Sequence, residues 1–420
     1  MRNKARTLST AAVAALLLSV AVPALAQYGR PINEKEKEGL WRVGPLRLTP
    51  LVQLRNAGVD TNPFLVAASP SEETEVVLRG GLRPYVPVGR RLRLRGDGWI
   101  DFTFFSDASE PRAFHPGGEL RAELDVGRFT FFGGGGSFSA RQRYTTDIDT
   151  RIDRSEDWLH GGVGYQLTRI FGIDLGAESR RFRYLPESPD EESIRLLLDR
   201  DSLSYQGRLR YAITPLTTML VSAEVVEDTF RFAEPSRATT RSYLYLGGFE
   251  FGQKAVLNGR LLAGVRDIPA RSAGGVVPYT GPAVRGSLLV PILQQRVRIG
   301  ADLTRDVYYS ATALRAEDEP LRNTYTYGQW RLTLEFDLPV GFIGRVIAGW
   351  QDAEYHVPIV IDDVTMLRED RLRRLGGSLL RRLGRNARFG LTAVHSTRSS
   401  NVPGLAYTRW QYGVQAELTP

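Results

Sequence analysis

The chain has 420 residues, with 55 Lys and Arg against 47 Asp and Glu and a formal net charge of +8. It has no cysteine, which excludes a disulfide framework, a thiolate zinc site and a cysteine nucleophile. Past residue 30 no apolar run reaches about 18 residues, so the chain does not cross a membrane with helices.

Residues 1–26 carry a basic start (Arg2, Lys4, Arg6), an apolar stretch from Ala11 to Val22 and the small-x-small site Ala24-Leu25-Ala26. This pattern predicts a secretory signal peptide and a mature chain beginning at Gln27. Residues 27–43 are polar, with Pro31 and the run Glu34-Lys35-Glu36-Lys37-Glu38, and predict a periplasmic lead-in without a domain of its own. Residues 44–420 form the remaining unit.

In that unit no helical period persists, whereas a two-residue period recurs to the end. Leu92, Leu94, Ile100, Phe102 and Phe104 share a face opposite Arg91, Arg93, Arg95, Asp97 and Asp101. Leu120, Ala122, Leu124 and Val126 alternate with Glu119, Arg121, Glu123 and Asp125. Trp330, Leu332, Leu334, Phe336 and Leu338 alternate with Arg331, Thr333, Glu335 and Asp337, and Trp410, Tyr412, Val414, Ala416 and Leu418 with Arg409, Gln411, Gln415 and Glu417. The alternating segments run about 12–16 residues, more than the roughly 9–11 that a tilted strand needs to cross a bilayer.

Tight breaks fall at Val88-Gly89, Val126-Gly127, Thr168-Arg169, Thr214-Pro215, Phe251-Gly252, Val290-Pro291, Leu338-Pro339 and Gly384-Arg385. Longer polar loops fall between them, at 57–72, 106–111, 144–153, 186–196, 232–236, 269–275, 311–320, 358–367 and 401–404. This strict alternation predicts an all-β fold: a single antiparallel up-and-down transmembrane β-barrel of about 18 strands, with 16 as the alternative. Closure is required because an open sheet edge in lipid leaves backbone groups unpaired. Short turns and both chain ends are expected on the periplasmic side of a bacterial outer membrane.

The opening Gly44-Pro45-Leu46-Arg47-Leu48-Thr49-Pro50, followed by Gly58-Val59-Asp60-Thr61-Asn62-Pro63-Phe64, resembles the first strand and loop of the β-barrel porin-2 family. The resemblance implies an outer-membrane barrel, often found with exopolysaccharide systems. The ending departs from common outer-membrane practice: the chain closes on Leu418-Thr419-Pro420 instead of an aromatic residue.

Charges sort along the expected axis. Arg90, Arg91, Arg93, Arg128, Arg169, Arg296, Arg298 and Arg345 lie near short turns, while Glu72, Glu73, Asp147, Asp149, Glu187, Asp190, Glu191, Glu317, Asp318, Glu319, Asp362 and Asp363 crowd the long loops. Parity turns Arg91, Arg93, Arg95, Arg208, Arg210, Arg296, Arg298, Arg331, Arg345 and Arg388 toward the lumen. A lipid-facing arginine at the midplane costs about 2–4 kcal/mol. Two readings stay open. The guanidiniums attract carboxylate- or phosphate-bearing solutes at the periplasmic mouth, or they pair internally with Asp97, Asp101, Asp125, Asp302, Glu335 and Asp337.

Catalytic signals are thin. His395 shares outward parity with Ser399, which lies about 13 Å along an extended strand, and no partner acid is identifiable. Gly133 to Gly136 lacks the following helix and Lys-Ser/Thr of a phosphate loop and reads as a site of close strand approach. Asp147, Asp149 and Asp153 lack the glycine and terminal Glu of a calcium loop. Tyr308, Tyr309, Tyr325, Tyr327, Trp350 and Tyr355 read as an interfacial aromatic girdle. The expectation is a porin-like barrel for passive passage of small or anionic solutes, with an export role for acidic exopolysaccharide as the finer reading and a plugged structural or assembly barrel, or an outer-membrane lipid hydrolase, as the rivals. No enzyme, cofactor, metal or nucleic-acid partner is expected. The expected partners are outer-membrane lipid and lipopolysaccharide, the barrel-assembly machinery and polysaccharide-export components.

Overall fold

The structure, a computed structural model, describes residues 39–418 apart from 107–112, 143–151, 233–238, 253–254, 270–275, 295, 316–319, 362–363 and 385. The expected signal peptide and most of the polar lead-in lie outside the described residues, as do Asp147, Asp149, Glu317, Asp318, Glu319, Asp362 and Asp363.

Eighteen long strands make the wall. They are β1 (Leu46–Asp60), β2 (Glu73–Val88), β3 (Leu92–Phe105), β4 (Ala113–Val126), β5 (Phe129–Gln142), β6 (Ile152–Gln166), β7 (Phe171–Leu185), β8 (Arg200–Thr214) and β9 (Thr217–Phe230). The second half comprises β10 (Thr239–Phe251), β11 (Asn258–Ile268), β12 (Tyr279–Ile292), β13 (Val297–Arg315), β14 (Pro320–Asp337), β15 (Phe342–Tyr355), β16 (Glu369–Leu383), β17 (Ala387–Ser400) and β18 (Tyr407–Leu418). Each strand pairs antiparallel with its chain neighbour, and β1 pairs with β18 from Val52 opposite Leu418 to Asp60 opposite Gln411. The sheet thus closes into an 18-stranded barrel, and the 16-strand alternative is set aside.

The two-residue period sorts the side chains. Leu94, Ile100 and Phe102 on β3, Leu120 and Leu124 on β4, Leu375 and Leu379 on β16, and Phe389 and Leu391 on β17 are all exposed on the outer surface. Such an apolar exterior is stable only against lipid. Beyond it, toward the long loops, the outward positions turn polar: Arg181 on β7, Asp201 on β8, Glu227 on β9, Arg241 on β10 and Arg371 on β16, with Arg241 paired to Glu227.

The seam between first and last strands is held by a buried carboxylate. Asp60 is fully buried and accepts from Arg409 Nε at 2.9 and 3.0 Å, from Arg409 Nη2, and from Gln411 Nε2 at 3.0 Å. It also accepts the backbone N–H of Asn62 at 3.0 Å. Asn62 in turn donates to the carbonyls of Val66 (2.8 Å) and Thr408 (3.3 Å). Asp60 and Asn62 are therefore a clasp on the closure point. Among the described residues, the pairing of β1 with β18 begins at Val52 and leaves the start of β1 without β18 beside it. A short strand, Trp41–Val43, folds back and pairs with Leu46 to Leu48 there, covering part of an edge that would otherwise be open.

The connections alternate short and long as expected, with three departures. Pro291 lies within β12, opposite Arg298, and the turn falls at Leu293 to Arg296 instead, with Leu293 and Gln294 at φ 49° and 54°. Strands β13 and β14 run further than expected, reaching Arg315 and Pro320. A third departure is a helix, α1 (Pro189–Leu198), in the loop between β7 and β8, where no helical period was expected. The segment is too short for periodicity to register, but its signals are ordinary: proline in the first turn, acids Asp190, Glu191 and Glu192 near the N-terminus, and Arg195 in the last turn. A hairpin of Ile359–Ile361 and Val364–Met366 stands apart from the wall.

Candidate functional site, the barrel lumen

The inner wall is polar and strongly charged. Of the arginines expected there, Arg93 and Arg95 on β3, Arg208 and Arg210 on β8, Arg298 on β13, Arg331 on β14, Arg345 on β15 and Arg388 on β17 all stand on the face opposite the exposed leucines. Arg91 and Arg296 instead lie exposed in short turns.

Most of these cations meet acids. Arg93 reaches Asp125 at 2.7 Å and Glu123 at 3.4 Å, and Arg95 approaches the same Glu123 at 3.7 Å. Arg210 bonds Asp174 at 2.9 Å, and Arg331 bonds Asp302 at 2.6 Å while Ser287 donates to that carboxylate. Glu335 gathers Arg345 at 2.6 Å and Arg298, with Arg388 in electrostatic reach. Arg83–Asp97, Arg79–Asp101 and Arg382–Asp337 complete the set, so each of Asp97, Asp101, Asp125, Asp302, Glu335 and Asp337 holds an arginine. Arg208 is buried beside Gln206.

Solvation changes along the axis. Toward the short turns the paired side chains are open to water: Arg210 is 37% exposed and Asp125 41%. Toward the long loops they are sealed. Glu156, 1% exposed, lies between Arg154 and Arg180. Asp306 takes Arg266 at 2.8 Å and Arg285 at 2.9 Å, while Arg285 also reaches Glu224 at 3.3 Å and Arg266 reaches Ser242. Asp370, likewise buried, holds Arg368 and Arg398 at 2.9 Å each. The lumen is thus a wet vestibule at one end that narrows into interlocked charges at the other.

Two elements deepen the narrowing. Ile194, Leu197 and Leu198 of α1 pack on Ile152, Phe182 and Tyr184, which are inward residues of β6 and β7. Tyr309 of β13 joins this cluster, donates its hydroxyl to Asp228 on β9 at 2.9 Å and meets Phe230 edge-on at 5.0 Å. Arg200 lies 3.9 Å from the Phe182 ring centre and 5.3 Å from that of Tyr309. β13 can lean over in this way because its pairing to β12 ends at Arg305, while its pairing to β14 continues.

The expected aromatic girdle is corrected here. Tyr325, Tyr327 and Tyr355 are buried in one inward cluster with Tyr308 against it, and Tyr309 belongs to the closure just described. Of the six only Trp350 faces outward, stacked on Trp330 at 5.5 Å. Tyr308, Tyr325, Tyr327 and Tyr355 share the inward parity of Asp302, Arg331 and Arg345, so strand register, not aromatic character, decides their side.

The other motifs resolve structurally. His395 faces outward with its ring 4.4 Å from that of Trp410, and Ser399 is exposed four residues further along the strand. Gly133 to Gly136 lies within β5, and a Cβ at Gly136 would collide with the Trp158 ring. Sequence reasoning missed the Asp306, Asp370 and Glu156 clusters and also Arg374. Arg371, Arg373 and Arg374 crowd together, and Leu372 points inward where an alternating charge would have been the signal.

No family profile matches the chain, and no curated protein sequence does. Among solved structures, the outer membrane protein opdK of Pseudomonas aeruginosa is 11% identical, covering 90% of this chain and 100% of that one, with a TM-score of 0.49. OccK5 (OpdH) of Pseudomonas aeruginosa is also 11% identical, covering 90% and 99%, at 0.46. A bacterial polysaccharide outer membrane secretin is 10% identical, covering 90% and 99%, at 0.36.

Proposed function

We propose that the chain is a porin-like barrel of a bacterial outer membrane that passes small, preferentially anionic solutes by diffusion. The observation that carries this reading is the solvated, charge-lined vestibule at the short-turn end of an 18-stranded cylinder, a size at which side chains need not fill the interior. Anion preference follows from Arg91, Arg296 and Arg388, which have no ion pair among the described residues and stand at the vestibule. The short-turn end, with both chain termini, faces the periplasm in this reading. The polar outward collar at the other end meets lipopolysaccharide, and the barrel-assembly machinery inserts the chain. A link to exopolysaccharide export, implied by the porin-2 resemblance, is the finer form of the proposal, since an acidic polymer and its export components would meet the same cations.

Planar-bilayer recording of the refolded protein under a salt gradient tests the reading. Stable openings with a reversal potential favouring anions are expected, and replacing Arg91, Arg93, Arg296 and Arg298 by Gln should weaken that preference. A folded barrel that never conducts would overturn the channel reading. It would favour a plugged structural barrel, to which the closure by α1 and Tyr309 already points.

A further inference from the structure

One guanidinium of the inner wall lacks the counter-charge its neighbours have. Arg374 lies inward and midway along β16, opposite Gly349 on β15 and Ser396 on β17, and Ser396 is in turn opposite Arg409 on β18. Its Nε donates to Ser396 Oγ at 3.0 Å. Among the described residues it has no carboxylate partner. The groups that act on it most strongly are Tyr407, Arg409, Tyr327 and Arg331. Arg331 and Arg409 are held by Asp302 and Asp60. One row of the wall therefore carries three guanidiniums against two carboxylates.

A guanidinium taken from bulk water is costly unless paired. Elsewhere along the narrowing the paired guanidiniums find a carboxylate on their own strand or on a strand nearby. A position that omits the acid is complementary to an anion arriving from solution. The space beside it is open too: a Cβ at Gly349 would meet only the Cβ of Arg374, at 3.7 Å. The two terminal nitrogens make no hydrogen bond among the described residues and offer the planar donor pair that a carboxylate accepts bidentately.

We propose that Arg374, with Ser396 beside it and the open floor at Gly349, is a binding station for small monocarboxylates inside the lumen. The station rests on the channel reading for its role but not for its existence, and the test separates the two. Calorimetric titration of benzoate and acetate into the detergent-folded barrel should show saturable binding that weakens at least tenfold in R374Q, because a hydrogen-bonded charge is lost. R374K, which keeps the charge without the fork, should fall between. R381Q, on the outer surface, should bind as the parent does. Heat-modifiable gel migration identifies folded barrels for each variant. In bilayers, benzoate should interrupt current in the parent and not in R374Q. Equal affinity of parent and R374Q overturns the station, and binding of inorganic phosphate without binding of either carboxylate overturns the ligand class. Arg374-dependent binding in a barrel that never conducts supports the station while the channel reading falls. Conductance without carboxylate binding leaves the channel and removes the station.

Discussion

At the scale of single residues, the side chains that matter most are buried charges whose partners come from distant parts of the chain. Asp60 and Arg409 are 349 residues apart in sequence, yet they meet at the seam because β1 and β18 are neighbours in the closed barrel. Removing one member leaves the other charged and unpaired, which costs about 3–5 kcal/mol. Asp60→Asn should therefore lower the urea midpoint strongly, whereas Asp60→Asn with Arg409→Gln should recover part of the loss; a double variant worse than the single one would contradict this. His356 gives a second expectation. Its ring bonds the hydroxyls of Thr324 and Thr326 at 2.8 Å each and stacks on Tyr279 at 4.6 Å, and burial pushes its pKa below the ordinary histidine value. The fold thus holds the neutral ring. Its contribution is intact above about pH 6.5, the ordinary value, and is lost as pH falls below it. Amide-exchange protection at residues 355–357, corrected for intrinsic rate, should fall between pH 7.5 and 5 and become pH-insensitive in His356→Phe.

At the scale of elements, α1 and the free-standing end of the β13–β14 hairpin behave differently from the wall. The wall strands gain their stability from two ladders each, while α1 is held mainly by Ile194, Leu197 and Leu198 on inward aromatic residues. Burying one leucine contributes about 1.5–3 kcal/mol, so this contact is a weak point next to the barrel itself. Leu197→Asp should detach the helix without unfolding the barrel. Single-channel conductance should then rise, and replacing Pro189–Leu198 by a short Gly-Ser linker should raise it further. Unchanged conductance in both would mean that the limiting constriction is the buried ring of Glu156, Asp306 and Asp370.

For the whole molecule, the lumenal field is set by pairs more than by arginines alone. Glu335 restrains Arg298 and Arg345 directly and Arg388 through space. Glu335→Gln should therefore shift the reversal potential further toward anions, and more so in dilute salt, where screening is weaker; a shift toward cations would mean that the vestibule does not control selectivity.

Alternation at Leu92 to Asp101, Trp330 to Asp337 and Trp410 to Glu417, with glycine and proline breaks between, was enough for the all-β class, the closed barrel and the inward face of most arginines. A strand's side of the sheet is a local property with a period of two, so neighbouring residues carry it. The Asp60-x-Asn62 segment was visible as a pattern, but its role at the seam depends on Arg409 and Gln411 from the other end of the chain. Which arginines are neutralised, which are left without an acid, and which loop folds inward all depend on the register between strands and on contacts across the lumen. α1 shows the same limit, because its apolar face matters only against Phe182, Tyr184 and Tyr309. The sequence by itself determined the wall, because a strand writes its environment into adjacent residues; only the tertiary structure decided the lumen, because its interior is assembled from side chains whose neighbours are chosen by closure.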